Sequence, residues 1–409
     1  MTPVPRLPSA FAFASAFALP SAFASAFALA FASACGPDQP AVTPVPTATA
    51  LSPTSPPAST TPPTSSPTPP TTAPAPSATA PEGALPPPKP TTILLARTGD
   101  EKLDAVLAQG DKAFEDGDYT KAAASYKVAM TMAPRRAAPI VGSARVRAAK
   151  ASPTLGFAAA EKNGEVREAA KDLKRASDME PAFGPAHVEL GRAFLLLGDA
   201  PQAELALRKG ARLLPDDAEA HSALGIALLA IGKTEEALTE LTRARELDPG
   251  SAARRGNLGT VLFMRGRVAD AIKEYEIEVR LVPDDARAHS DLGTALLAQS
   301  DFTRALPELR RAILLDPKRA TFRSNLGYAL QLSGKLSDAI AEYREAIKLD
   351  SKLSSAWINL ATALSRDPKT RGEARQALKT AGALDPTDPR VKANLEELDA
   401  LEKGTPAKP

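Results

Sequence analysis

From about residue 100 onward, apolar positions recur at steps of three and four, the spacing that lays one apolar stripe along an α-helix. Two such stripes joined by a short polar turn form a unit, and the unit itself recurs. LGRAFLLLGDAPQAELALRKGARLLP, LGIALLAIGKTEEALTELTRARELDP, LGTVLFMRGRVADAIKEYEIEVRLVP, LGTALLAQSDFTRALPELRRAILLDP and LGYALQLSGKLSDAIAEYREAIKLDS stand in register. Their first glycines, Gly191, Gly225, Gly259, Gly293 and Gly327, are 34 residues apart. Ala203, Ala237, Ala271, Ala305 and Ala339 keep the same step, as do Pro215, Pro249, Pro283 and Pro317, until Ser351 replaces the fifth proline.

Each mark has a physical reason. The leucine–glycine pair and the later alanine are small or apolar where a first helix, A, crosses a second, B. Gly198, Gly232, Gly266 and Gly334 fall where helix A must end, a place that often needs positive φ. The proline stops helix B, and Asp217 and Asp285 are placed to cap the next helix A. One such hairpin cannot cover its own apolar faces, so successive hairpins must stack.

This pattern resembles the tetratricopeptide repeat, whose 34-residue unit is helix, turn, helix. The resemblance implies an all-α, right-handed superhelical solenoid of about eight repeats. By register they fall at 93–136, 137–183, 184–217, 218–251, 252–285, 286–319, 320–353 and 354–388, followed by a capping helix and tail at 389–409. The second unit carries about 15 extra residues, including SPTLG, and reads either as a degenerate repeat or as a lengthened helix pair with a loop.

Upstream the composition changes. Residues 1–34 hold one charge, Arg6, in an apolar run of alanine, phenylalanine and serine, the pattern of a secretory signal peptide. The run is also long enough to serve as an uncleaved membrane anchor. Cys35, the only cysteine, follows Ala32-Ser33-Ala34. This resembles the lipobox of bacterial lipoproteins, with Ala32 where that pattern prefers leucine. The resemblance implies acylation of Cys35 and retention at a membrane of the cell envelope, facing the periplasm. Residues 35–92 are rich in proline, threonine, serine and alanine, too poor in apolar side chains to offset ordering, and predict a disordered linker.

The net charge of +2 argues against a general nucleic-acid binder, and one cysteine excludes a disulfide within the chain or a cysteine-based zinc site. All three histidines, His187, His221 and His289, occupy the fourth position of a helix A, the place that Trp357 takes later. Equivalent residues of stacked repeats lie roughly 10 Å or more apart, too far for one metal ion, so their role reads as structural. No nucleophile–base pair or phosphate loop departs from the repeat register, which predicts neither enzyme activity nor a cofactor or small-molecule substrate. One charge feature stands out: residues 135–175 hold ten lysines and arginines against four acids, a surface that could touch anionic headgroups or cell-wall polymers.

Positions 2, 5, 6, 9, 12 and 13 of helix A share one side. Position 6 carries Asn257, Asp291, Asn325 and Asn359, and position 9 carries Thr260, Thr294, Tyr328 and Thr362. The amide column resembles the asparagine ladder in the repeat domain of the O-linked N-acetylglucosamine transferase, which implies pairing with the backbone of an extended peptide. An amide suits that task because it both donates and accepts. Asparagine here is also compatible with purely local hydrogen bonding, and Asp291 interrupts the column. The expected function is a membrane-anchored scaffold binding peptides or partner proteins during envelope assembly. The second reading is a recruiting module that presents a peptide to a separate envelope enzyme.

Overall fold

The computed structural model describes residues 92–151 and 163–403. The signal segment, Cys35, the linker up to residue 91, the SPTLG insertion and the tail beyond residue 403 lie outside the described residues. Every regular element among the described residues is helical. Eight antiparallel pairs follow one another: α1 (Glu101–Glu115) with α2 (Tyr119–Met132), α3 (Ala137–Ala151) with α4 (Gly164–Met179), and α5 (Gly184–Leu196) with α6 (Ala200–Leu213). Then come α7 (Ala218–Ala230) with α8 (Thr234–Leu247), α9 (Ala252–Met264) with α10 (Val268–Leu281), and α11 (Ala286–Ala298) with α12 (Phe302–Leu315). The last pairs are α13 (Ala320–Leu332) with α14 (Leu336–Leu349) and α15 (Ser354–Leu364) with α16 (Arg371–Leu384), closed by α17 (Pro389–Lys403).

The helix boundaries follow from the capping chemistry. Asp217 accepts from the amides of Glu219 and Ala220, and Asp285 from those of Arg287 and Ala288, satisfying donors that a helix start leaves open. Gly198, Gly232, Gly266 and Gly334 all take φ between +73 and +80°, as the sequence predicts. In the sixth pair Ser300 holds this place at φ +60°.

Within each pair the helices meet where side chains vanish. A Cβ added at Gly225 would stand 2.5 Å from Leu241 Cγ, and one at Gly259 would stand 2.7 Å from Tyr275 Cε1. Ala203, Ala237, Ala271, Ala305 and Ala339 are fully buried in the same seam. At the N-terminal end the first repeat, placed by register at 93–136, becomes helical at Glu101, and residues 92–100 lie outside any helix. The second repeat folds as a helix pair, α3 packed on α4, one of the two alternatives that the sequence leaves open.

The curvature is set by which helices approach. Each odd-numbered helix packs against the next odd-numbered one, from α1 on α3 through to α15 on α17, whereas even-numbered helices make no comparable contact with each other. The A helices therefore line the inner wall and the B helices the outer one. At the far end α17 buries Val391 and Leu398, closing the apolar surface around Ile358 and Ala381.

Candidate functional site on the inner wall

Position 6 of helix A is brought into one column, half-buried throughout. Asn257 Nδ2 donates to Ser222 Oγ at 3.5 Å, Asn325 to Ser290 at 3.1 Å and Asn359 to Ser324 at 3.4 Å. Each bond joins position 6 of one repeat to position 5 of the repeat before it. One amide proton is thus spent on the scaffold, and the carbonyl oxygen and second proton remain. Asp291 breaks this ladder for a reason visible one repeat earlier, where position 5 is Gly256 and offers no hydroxyl. Its carboxylate instead accepts from Arg287 Nε at 3.3 Å. Burial pushes the Asp291 carboxyl up, and Arg287 pulls it back. Glu278 of α10 fills the space beside Gly256, where burial raises its carboxyl well above the usual range.

Position 9 lies alongside. Thr260, Thr294 and Thr362 each donate back to the carbonyl four residues earlier, at 2.9, 2.8 and 3.0 Å. Thr260 is buried and also accepts from Tyr275 at 3.2 Å, whereas Tyr328 is half-buried against the apolar core. A fourth amide escaped the sequence reading. Asn394 of α17 stands one residue out of the 34-residue step, because the turn of the eighth repeat has an extra residue. Its Nδ2 donates to Thr362 Oγ1 at 3.1 Å, extending the column onto the cap.

The first half of the same wall is built differently. Position 9 carries Asp111, Arg145 and Arg192 in the first three repeats. With Glu189 at position 6, Glu219 at position 2 and Arg254 at position 3, they form an alternating chain of charge ending on Asp248. Arg145 pairs with Asp111 and approaches Glu189 at 3.9 Å. Arg192 stands 3.8 Å from Glu189 and 3.3 Å from Glu219. Arg254 stands 3.6 Å from Glu219 and 2.9 Å from Asp248. Apart from Glu219, all of these residues are buried. Burial works against charge on Arg145, but Tyr126, Asp111 and Glu189 hold its guanidinium above the usual range. Burial pushes the Glu219 carboxyl up despite Arg192 and Arg254. The signal in the sequence was the charged residue at positions that carry amides and hydroxyls later in the chain.

The histidines are held by the loops. Nε2 of His187, His221 and His289 meets the carbonyl of Pro181, Pro215 and Pro283 at 3.0, 3.0 and 2.9 Å, and Trp357 Nε1 donates to Ser351 O in the same way. The basic stretch at 135–175 is partly paired. Arg145 is buried, Arg136 pairs with Glu180, Arg147 with Asp172, Lys171 with Glu168 and Lys174 with Asp178. Three of these partners, Asp111, Asp178 and Glu180, lie outside the stretch and reduce its net positive charge. No helix among the described residues is long and apolar enough to cross a membrane.

A comparison with curated proteins finds no match. Two family models, both described as tetratricopeptide repeat, match residues 222–286 and 290–354, and residues 160–226. Neither indicates a catalytic family. Among solved structures, the APC/C hetero-tetramer Cut9–Hcn1 aligns with a TM-score of 0.55 at 19% identity, over 75% of this chain and 57% of the matched one. Pseudomonas aeruginosa pilF aligns with a TM-score of 0.44 at 20% identity, over 53% and 98% of the two chains. YrrB, titled a protein with an unusual peptide-binding site, gives a TM-score of 0.36 at 22% identity, over 47% and 98%. The matched models, the 34-residue step and the Cut9–Hcn1 likeness make the helical part of this chain a solenoid of tetratricopeptide repeats.

Proposed function

We propose that this protein is a non-enzymatic scaffold that binds extended peptides or partner proteins on the inner wall of repeats 5–8. The observation that carries the reading is the column Asn257, Asn325, Asn359 and Asn394. Each amide is oriented by a hydroxyl of the neighbouring repeat and retains an acceptor and a donor. An amide fixed in this way has already lost its rotamer freedom, so less remains to be lost when a peptide backbone docks. The Cut9–Hcn1 chain with the same fold is itself part of a hetero-tetramer, which agrees with a role in assembly. The chain is carried to a bacterial envelope membrane by acylation of Cys35, with residues 36–91 as the spacer between anchor and solenoid.

Photocrosslinkers placed along the 257–362 face should trap a partner in the native envelope, and Asn325→Ala with Asn359→Ala should lose it. Equal trapping by that double variant would sink the amide reading. Separately, Cys35→Ser should release the protein from membranes and abolish palmitate labelling. Tight retention without the thiol would favour an uncleaved anchor.

A further inference from the structure

The charged half of the inner wall is covered by the chain itself. Residues 92–97 run over it outside any helix, and burial alternates around Leu94 as it would in a strand: Ile93 and Leu95 are fully buried, whereas Leu94 is 40% exposed, before Arg97 N turns back to donate to Leu95 O at 2.8 Å. Ile93 joins the apolar cluster containing Val188, Leu195 and Leu224, and Leu95 joins the one containing Leu107, Phe114 and Val141. The backbone is held by charged side chains. The amides of Leu95 and Ala96 donate to Asp111 Oδ2 at 2.7 and 3.3 Å, and Arg145 Nη1 donates to Ile93 O at 2.7 Å. Arg97 reaches Asp217, the cap of α7, at 3.2 Å. Beyond it Thr98 and Gly99 are fastened to Asp104, and Gly99 turns at φ +80° with open space around it.

We infer that residues 92–97 are a built-in ligand of repeats 1–4, a strap that a partner's extended strand with the pattern aliphatic–any–aliphatic–any–basic displaces. The inference rests on the reading of the inner wall as a peptide surface and assigns it a second, self-occupied site. Three features distinguish this strap from an ordinary seam of the core. Its main chain is read by a carboxylate and a guanidinium, the chemistry of peptide capture rather than of helix packing. Ion pairs sealed for good are commonly no better for stability than apolar residues of the same size. Charges that line a groove alternately covered and open are, in contrast, solvated whenever the strap leaves. Finally, attachment through one short turn gives the strap a high effective concentration, so a free peptide competes only in large excess, or when it binds better or the strap is weakened.

The test uses the full chain and a fluorescein-labelled peptide of residues 90–99, PTTILLARTG. Ile93→Asp with Leu95→Asp should eject the strap and bind the peptide at least about tenfold more tightly than the unaltered chain, by anisotropy. Failure of the folded variant to bind, or equal binding by the unaltered chain, overturns the proposal. Should that variant not fold, hydrogen exchange on the unaltered chain decides. Excess peptide should speed exchange at Leu95 and Ala96 while α1–α4 stay protected. A strap that exchanges only together with those helices is part of the fold and not a ligand. Asn325→Ala with Asn359→Ala should leave peptide binding unchanged, so the strap and the amide column stand or fall separately.

Discussion

Position 9 of helix A carries Asp111, Arg145 and Arg192 in the first three repeats, but Thr260, Thr294, Tyr328 and Thr362 in the last four. The change comes at the fourth repeat, where Ile226 holds the place. Both halves use one backbone geometry, so what differs is how each satisfies its polar groups. A threonine closes its own hydrogen bond on the preceding turn, and an asparagine finds a serine one repeat away; both tolerate a half-open wall. A buried charge cannot be satisfied so locally. Asp111 draws on Tyr126, Arg145 and two amides of the strap, and Arg145 on Asp111, Tyr126 and Ile93 O, with Phe114 stacked 4.6 Å from its guanidinium carbon. At position 9 of this wall every charged residue is covered, whereas the half-open places are held by neutral side chains.

The largest effect that tests this contrast is expected at Arg145. Arg145→Ala leaves Asp111 buried without its cation, which should cost about 3–5 kcal/mol of stability in urea. Because a solenoid couples mainly nearest neighbours, the loss should stay in repeats 1–3 and appear as a separate early transition. Amide exchange would locate it. A loss below about 1 kcal/mol, the typical worth of an exposed pair, would mean that the charges are not sealed at all.

In the open half the corresponding step is smaller. Asn325→Ala or Ser290→Ala removes one neutral hydrogen bond and should cost about 0.5–1.5 kcal/mol. Since both lose the same bond, the double variant should cost little more than the worse single one. Additive losses would show that the amide is held by something other than Ser290.

The period of 34, the caps at Asp217 and Asp285 and the positive-φ glycines were all legible because each is a local rule read within one repeat. The amide column was legible for the same reason, but its Ser222, Ser290 and Ser324 partners were not. Such a pairing joins position 6 to position 5 across repeats and requires knowing how two hairpins stack. The strap was the least legible part. ILLAR gives no helical period, and its partners Asp111, Arg145 and Asp217 are 16 to 120 residues away. Only the misplaced charges at positions 6 and 9 hinted that something covers them.

A smaller gain is expected where the glycine rule fails. Ser300 sits at φ +60° in the turn that five other repeats close with glycine. Ser300→Gly should relieve left-handed strain of about 1–2 kcal/mol, offset in part by glycine's greater chain entropy. A net rise of about 0.5–1 kcal/mol in thermal unfolding is expected, confined to repeats 6 and 7.

The finest contrast lies at position 4, where two histidines share one loop contact yet differ in partner. His221 has Glu240 at 2.6 Å from Nδ1, and this hydrogen bond is the main reason its pKa lies above 6.5. Its Nε2 must carry a proton to bond Pro215 O, so the carboxylate at Nδ1 favours the doubly protonated ring. His187 has Ala206 at the equivalent place on helix B, and burial lowers its pKa below 6.5. The linkage signs are therefore opposite. The stability added by His221 is present in full below pH 6.5 and fades as pH rises through the folded value above it. His187 adds its share at neutral pH and loses it as pH falls below 6.5. Ala206→Glu supplies the missing carboxylate and should carry the His187 titration, followed by NMR of the ring protons, from below 6.5 to above it. A titration that stays below would mean that the partner at this position does not set the charge, and that burial alone distinguishes the two repeats.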